Sequence, residues 1–307
     1  MSNTITVLSP GTVANMVCGF DILGFAVHQP TDRMTLSLVN RPGVHIAPDP
    51  VYNLPTEPEK NVAGAALLAM LEALPAGVGF ELSITKNIKP GSGIGSSAAS
   101  AAGAVVAANH LLEQRFSHAE LVQFAMFGEK VASGVKHADN IAPCIYGGIT
   151  LIRSIFPLDI IPLRPPEMHV SIVHPQIEVR TADARAILKQ TVQLKNAIKQ
   201  WGNIAGLVAG ILQADYELIG RSLEDHLIEP VRSILIPGYD LLKQRCLQAG
   251  ALGGGISGSG PSVFMLSKNA ATAQAVATQM ELSFTELGID HHVYTTTINQ
   301  QGVVIAS

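Results

Sequence analysis

The sequence predicts an α+β protein of two domains, and three observations carry that expectation. The chain has 307 residues, enough to build two cores of ordinary size. Hydrophobic residues make up 47% and charged residues only 14%, which is the composition of a packed globular protein and not of a disordered one. Strand and helix signals alternate in the first half. In the second half they mix in an order that suggests an antiparallel sheet with helices on one side.

The elements follow in order. The segment "TITVL" reads as a strand, as does "RMTLSLV", where Met34, Leu36 and Leu38 alternate with Thr35 and Ser37. Residues 40 to 60 are rich in proline and read as a surface excursion. Asn61 is placed to cap a helix whose Val62, Ala65, Ala66, Ala69, Met70 and Ala73 fall on one face. In "GFELSIT", Phe80, Leu82 and Ile84 alternate with Glu81, Ser83 and Thr85, the pattern of a half-buried strand. A loop over 86 to 96 leads into an alanine-rich helix over 97 to about 112. Ser117 and Glu120 have capping-box spacing for a further helix to about Val131. Proline density near 155 to 167 marks a domain boundary, giving domains 1–160 and 161–307. Beyond it the sequence predicts a strand (168 to 174), several helices (182 to 248), a strand with a glycine-rich loop (251 to 261), a strand (262 to 267), a helix (270 to 287) and a strand (291 to 297).

Charge and cysteine usage narrow the function. The formal net charge of −4, with no basic run, lacks the footprint of a nucleic-acid binder and favours small ligands. Cys18, Cys144 and Cys246 are isolated and never form C-x-x-C, so reduced thiols in a cytoplasmic protein are expected, without disulfide framework or zinc site. The start, "MSNTITVLSPGTV", has no basic and apolar export signal, and "VAGAALLAML" stops at Glu72, well short of the ~18 residues of a membrane span. A water-soluble protein with no membrane partner is expected.

The chemistry concentrates in "PGSGIGSSAAS", residues Pro90, Gly91, Ser92, Gly93, Ile94, Gly95, Ser96, Ser97, Ala98, Ala99 and Ser100. Lying between a strand and a helix N-terminus, this loop is suited to phosphate: glycines let backbone N–H groups approach, and the helix end adds roughly half a positive charge. A flexible linker is the competing reading, but a linker would not run from an alternating strand straight into an apolar helix. A Walker A loop is excluded by the absence of a Gly-Lys pair. The dinucleotide pattern G-x-G-x-x-[GA] matches at Gly93 and at Gly253, but the first match has its acid, Glu113, at the end of a helix and not at the tip of a strand. Glu129 sits near a helix C-terminus, where a carboxylate opposes the dipole; it is either a solvated surface residue or a group placed to meet a cation.

These residues resemble the GHMP small-molecule kinases, whose ATP loop follows P-x-x-x-G-[LI]-G-S-S-A-A. Two further motifs of that superfamily are similar here, "VLSPGTVANMVCGFDILGFAV" and "GALGGGISGSGPSVFML", so the resemblance spans the chain. It implies an N-terminal domain like domain 2 of ribosomal protein S5, a ferredoxin-like C-terminal domain, ATP as phosphoryl donor and Mg2+ as cofactor. Within the superfamily, "ANMVCGFDILG", "HADNIAPCIYGG", "TADARAIL" and "EPVRSILIPGYD" resemble the homoserine kinases, which implies L-homoserine as acceptor, threonine biosynthesis as the setting, and a homodimer.

By that resemblance Ser97 and Glu129 would ligate Mg2+, and Asn61 would contact adenine, although its capping role explains it equally well. Arg185 and Arg232 match carboxylate-binding arginines, Asp21 the acid for the ammonium, and Asn15 an amide near the hydroxyl. His137, Asp139, Asn140 and Thr181 match other pocket positions, and Gly255, Gly258, Ser259 and Gly260 lie in the third motif loop. A forked guanidinium suits a planar carboxylate. The resemblance further implies that no dedicated base is needed, with Asp139 shaping the pocket. A kinase for another small alcohol, such as mevalonate or a sugar, and a non-catalytic sensor of the same fold are the alternatives.

Overall fold

The computed structural model describes residues 3–306. In chain order the first half contains β1 (Thr4–Ala14), β2 (Leu23–Val39), β3 (Gly43–Ile46), α1 (Val62–Leu71), β4 (Gly79–Thr85), α2 (Ser96–Leu111), α3 (His118–Ser133), α4 (Ile141–Tyr146), β5 (Ile149–Ile155) and β6 (Leu158–Leu163). The second half contains β7 (His169–Pro175), α5 (Thr181–Ala186), α6 (Leu194–Gln213), α7 (Tyr216–Ser222), α8 (Glu229–Arg232), α9 (Tyr239–Gln248), β8 (Gly253–Ile256), β9 (Val263–Ser267), α10 (Ala270–Glu286), β10 (His291–Thr297) and β11 (Val304–Ile305).

The first sheet has the order β11-β1-β2-β4-β3, with β5 beside the start of β2 and β6 beyond it. Its pairings are antiparallel except for β3 with β4. The second sheet runs β10-β7-β9-β8, all antiparallel, which numbered within that sheet is 4-1-3-2, the ferredoxin-like order. A cut at residue 160 would fall inside β6, and β11 returns from the far end of the chain to pair with β1. Both prolines of "FPLDIIPL" lie in or beside the β5–β6 hairpin, so proline density there marks a turn and an edge strand and not a linker.

The alternating strand 79–85 and the helices capped by Asn61 and by the Ser117–Glu120 box form as the sequence predicts. The buried residues of α1 differ. They are Ala63, Gly64, Ala66, Leu67, Ala69 and Met70, while Val62 and Ala65 are half-buried and Ala73 lies exposed past the helix end. A ten-residue helix that is apolar throughout, wedged between α2, α3 and β3, is covered on several sides, so its period does not single out one face. α2 carries small side chains for a related reason: it lies against β1 and β2 with α1, α3 and α4 around it, and Gly103 leaves room for Met34 and Ser9.

One core fills the space between the first sheet and α1–α4. A second joins the sheets, with Phe25 meeting Phe264 edge-on at 5.6 Å and Ile94 and Ala99 of the glycine-loop region packed into it. A third lies between the second sheet and α9 and α10. The two sheets therefore share buried apolar residues beneath the glycine loops, which holds those loops against each other.

Candidate active site

β4 delivers the chain into the glycine-rich loop, and Gly91, Gly93 and Gly95 take φ of 76°, 80° and 66°. These left-handed positions bend the chain so that α2 begins at Ser96 with Gly95 as its N-cap. The loop is clamped by the third motif: Ser257 Oγ donates to the Gly93 carbonyl at 2.6 Å and Ser262 Oγ to the Ser92 carbonyl at 2.6 Å. The first motif closes the other side, where Thr12 N–H donates to the Ile94 carbonyl at 3.1 Å. Asn15 Nδ2 reaches the Gly258 carbonyl at 2.7 Å. Three segments distant in sequence thus interlock through backbone carbonyls, leaving the loop's N–H groups free of those bonds.

Beside this clamp lies a cavity of about 360 Å³. It collects most of the residues singled out in the sequence: Asn61, Pro90, Gly91, Gly93, Gly95, Ser96, Ser97 and Ser100 from α1 and the glycine loop, and Asn15, Asp21, Glu129, His137, Asp139, Asn140, Thr181, Arg185, Arg232, Gly258 and Ser259 from elsewhere in the chain. Six do not line it. Ser92, Ile94, Ala98 and Ala99 are buried, with Ile94, Ala98 and Ala99 in the apolar cores, and Gly255 and Gly260 lie in β8 and in the turn before β9. Their part is to shape the loop from behind.

Asn61 does cap α1, accepting from the N–H groups of Ala63 (3.0 Å) and Gly64 (3.2 Å), while its Nδ2 donates to the Pro55 carbonyl at 2.7 Å. Its side chain holds the helix start and the preceding loop together at the cavity wall. Ser97 Oγ donates to a Glu129 carboxylate oxygen at 2.9 Å, so the residues brought together are two hard oxygen donors at the N-terminus of α2 and near the end of α3. That donor chemistry suits Mg2+. Among the described residues no group of three or more His, Cys, Asp or Glu is arranged to hold a metal, so an ion here would complete its shell with phosphate and water.

The far end of the cavity is ionic. Arg185 forks onto Asp21, with contacts of 2.9 to 3.2 Å. Asp21 itself sits at φ of 62° in a loop where Asn15, Met16 and Val17 are also left-handed, and its N–H donates to Asn15 Oδ1 at 3.0 Å. His137 Nδ1 lies 3.9 Å from Asp21. Burial lowers the pKa of His137, and nearby Arg185 adds to this against the opposing effect of Asp21. Arg232 is only 4% exposed and donates to the carbonyls of Ala184 (2.9 Å) and Gly258 (3.2 Å). Both guanidinium groups lie over the Phe20 ring, at 5.5 and 4.8 Å from its centroid. Thr181 and Ser259 share a hydrogen bond of 3.2 Å, and Thr12 Oγ1 donates to Asn140 Oδ1 at 2.8 Å.

Asp139 is buried, and burial first, with the negative charges of Asp21 and Glu129 behind it, pushes its pKa up to about 7. In the folded protein this carboxyl keeps its proton to about neutral pH, while in the unfolded chain it ionises near its ordinary value. Between those values the folded state binds more protons, so the contribution of Asp139 to stability is complete at acid pH and is lost as pH rises through about 7. The change between pH 5 and 8 should be about 3 kcal/mol, at 1.36 kcal/mol per unit. Urea unfolding of the wild type and Asp139→Asn at those two pH values checks this: the variant should show a flatter profile and be the more stable of the two at pH 8.

Three participants escape motif reading. Phe20 unites the arginines, but only the fold brings them to one ring. Lys86 forms a buried ion pair with Asp32 and donates to the Ser96 carbonyl (2.9 Å) and Ser100 Oγ (3.0 Å) in the first turn of α2. Burial pulls its pKa down, and Asp32 opposes that pull. The sequence does carry a signal for this pair. Lys86 continues the inward parity of Phe80, Leu82 and Ile84, and Asp32 that of Met34 and Leu36, so both charges extend the buried face of paired strands.

Comparison with known proteins agrees with this geometry. Residues 61–148 match the GHMP kinases N terminal domain and residues 207–285 match the GHMP kinases C terminal model. The homoserine kinase of Chloroherpeton thalassium is 45% identical, covering 97% of this chain and 98% of its own. That of Xylella fastidiosa is 39% identical over 96% and 91%. The crystal structure of homoserine kinase from Cytophaga hutchinsonii superposes with a TM-score of 0.95 at 47% identity, over 100% of this chain and 98% of that one. The mevalonate kinase of L. major shares the fold, with a TM-score of 0.74 at 17% identity over 98% of each chain.

Proposed function

The chain belongs to the homoserine kinases of the GHMP superfamily, and from that premise we propose that it transfers the γ-phosphoryl group of ATP to the side-chain hydroxyl of L-homoserine. The observation that carries the acceptor assignment is the Arg185–Asp21 fork beside buried Arg232, in the same cavity as the glycine loop. An α-amino acid presents a carboxylate and an ammonium on one carbon. Adjacent guanidinium and carboxylate groups answer both, whereas a sugar offers no charge and mevalonate no cation.

In this reading the N–H groups of the loop and of the first turn of α2 hold the donor phosphates, aided by the helix dipole. Lys86 fixes that turn from below through Ser96 and Ser100. Arg185 and Arg232 orient the acceptor carboxylate, and Asp21 takes its ammonium. Mg2+, held by Ser97 and Glu129, would neutralise charge on the transferring phosphoryl group. Phosphoryl transfer of this kind asks chiefly for alignment and charge stabilisation. Asp139 accordingly shapes the pocket, and turnover of Asp139→Asn should stay within about tenfold of wild type; a fall of several orders of magnitude with intact homoserine binding would make Asp139 the base.

The direct test is ADP release from Mg-ATP with L-homoserine, D-homoserine, L-serine, mevalonate and galactose as acceptors. Turnover confined largely to L-homoserine is expected. Preference for mevalonate or galactose would keep the kinase and discard the ionic pocket, and ATP binding without turnover on any acceptor would favour a sensor.

A further inference from the structure

An amide stands in the buried face of α6. That face carries Ala197, Gln200, Leu207, Gly210 and Ile211, so glutamine occupies a position where leucine would keep the apolar pattern. Gln200 is 4% exposed, and a buried amide costs stability unless both of its ends find partners. Both do. Nε2 donates to the Cys18 carbonyl at 2.8 Å, and Oε1 accepts from the His226 N–H at 2.9 Å. A carbonyl only accepts and an N–H only donates, so the two partners fix the orientation of the amide, and an ionised glutamate in its place would lack the donor.

The partners belong to the two segments that build the ionic end of the cavity. Cys18 lies in the loop that begins at Asn15 and ends on Phe20 and Asp21. In that loop Asn15, Met16, Val17 and Asp21 take φ of 74°, 38°, 64° and 62°, and residues other than glycine keep such angles only where their surroundings hold them. Met16, Val17 and Cys18 are packed in the same core as Leu207 and Ile211 of α6, and Gln200 adds a directional bond to that apolar seat. His226 lies in the other segment. There the Asp225 carboxylate accepts from the N–H groups of Leu227 (2.8 Å), Ile228 (3.1 Å) and Glu229 (2.8 Å), folding the chain into α8, whose last residue is Arg232. One side chain thus ties the loop of Asp21 to the turn that leads to Arg232.

We propose, on the reading of that ionic pocket as the acceptor site, that Gln200 is a positioning residue for the acceptor: it sets the separation of Asp21 and Phe20 from Arg232. It acts through those residues, since it does not itself line the cavity. The effect is selective for the acceptor, because the glycine loop is clamped through other side chains, those of Ser257, Ser262 and Lys86.

The test is a pair of substitutions read by kinetics and by hydrogen exchange. Gln200→Met keeps the reach of the side chain and removes both hydrogen bonds. It should raise KM for L-homoserine about tenfold or more, through a displacement of the acceptor groups of about 1 Å or less, and leave KM for ATP within about twofold of wild type. Gln200→Asn keeps the amide on a stem one methylene shorter, reaches at most one partner, and should give a smaller rise with the same selectivity; it decides the comparison should the methionine variant not fold. Exchange in the free enzyme reads the positioning without any acceptor: the amides of Asp21 and His226 should exchange at least tenfold faster in the variants, while that of Ala99, bonded to the Gly95 carbonyl in the first turn of α2, keeps the wild-type rate. Equal KM for L-homoserine in wild type and variants, a parallel rise in KM for both substrates, or an Asp21 amide that exchanges at the wild-type rate would overturn the proposal. Failure of the acceptor reading shows separately, in a wild type that does not turn over L-homoserine, and the exchange comparison then still decides the role of Gln200.

Discussion

Alanine at Gly93 is expected to cut kcat/KM for ATP at least a hundredfold, whereas alanine at Gly91, two residues away, is expected to leave it within about tenfold. Both glycines are left-handed, at φ of 80° and 76°, so each substitution carries a backbone cost of about 1–2 kcal/mol. They differ in what a Cβ would meet. At Gly91 there is nothing within 4 Å. At Gly93 the carbonyl oxygens of Gly260 and Ser257 stand 2.6 and 2.8 Å from the added atom, and these are backbone groups of the third motif that cannot swing aside. The glycine loop must then separate from the loop that clamps it, with loss of the Ser257 bond to the Gly93 carbonyl. A displacement of about 1 Å in aligned reactants is enough for a hundredfold loss, so the effect on turnover should exceed the effect on folding. Steady-state kinetics with varied ATP, alongside thermal melts of both variants, separates the two. Equal losses in both would show that backbone strain, and not the clamp, is what the loop depends on.

Much of this arrangement is legible in the amino-acid sequence, and the illegible parts have physical reasons. The strand leading into the glycine loop and the capped helices can be read because half-buried strands alternate strictly and caps use a small set of side chains; Phe80, Leu82 and Ile84 are indeed buried, and Ser117 and Glu120 form a reciprocal box. The full lengths of β1 and β2 are hidden by glycine and proline. Pro10 lies where the pairing register shifts, and Pro30 lies inside β2, so residues that ordinarily punctuate a chain here sit within a twisted ladder. The short strand β3 is masked by the proline-rich excursion because its four residues are too few to show a period. The return of β11 to β1 is a long-range pairing with no local signal. In the site, motif spacing locates the loop, and the family resemblance points to Glu129 and the two arginines that also line the cavity. Spacing cannot show that Ser92 and Ile94 turn into the protein, since a loop bent by left-handed glycines has no fixed period of side-chain direction. Nor can it reveal that Asp21 and Arg185, 164 residues apart, meet.

That meeting yields the second large effect: Arg185→Met is expected to raise KM for L-homoserine about a hundredfold or more, with KM for ATP and the melting temperature little changed. The reasoning starts from exposure. The Arg185 side chain is 39% accessible and Asp21 32%, so water can hydrate the carboxylate that the substitution leaves behind, and the cost to folding stays small. The acceptor has no such substitute. A guanidinium gives a carboxylate two parallel charge-assisted bonds, each of roughly 1.5–3 kcal/mol, and their loss corresponds to two or more decades in affinity. Arg232 should behave differently. Because it is buried and also supports the Ala184 and Gly258 carbonyls, Arg232→Met should lower stability and acceptor affinity together. Asp21→Asn supplies the complement: it removes the charge offered to the ammonium, and because Asp21 and Arg185 share one fork, the losses in the double variant should sum to less than those of the single variants. Steady-state kinetics with varied homoserine across the three variants and the double variant decides the matter. An unchanged KM for homoserine in Arg185→Met would remove the zwitterion pocket from the reading, and with it the ground for preferring an amino acid over an uncharged alcohol.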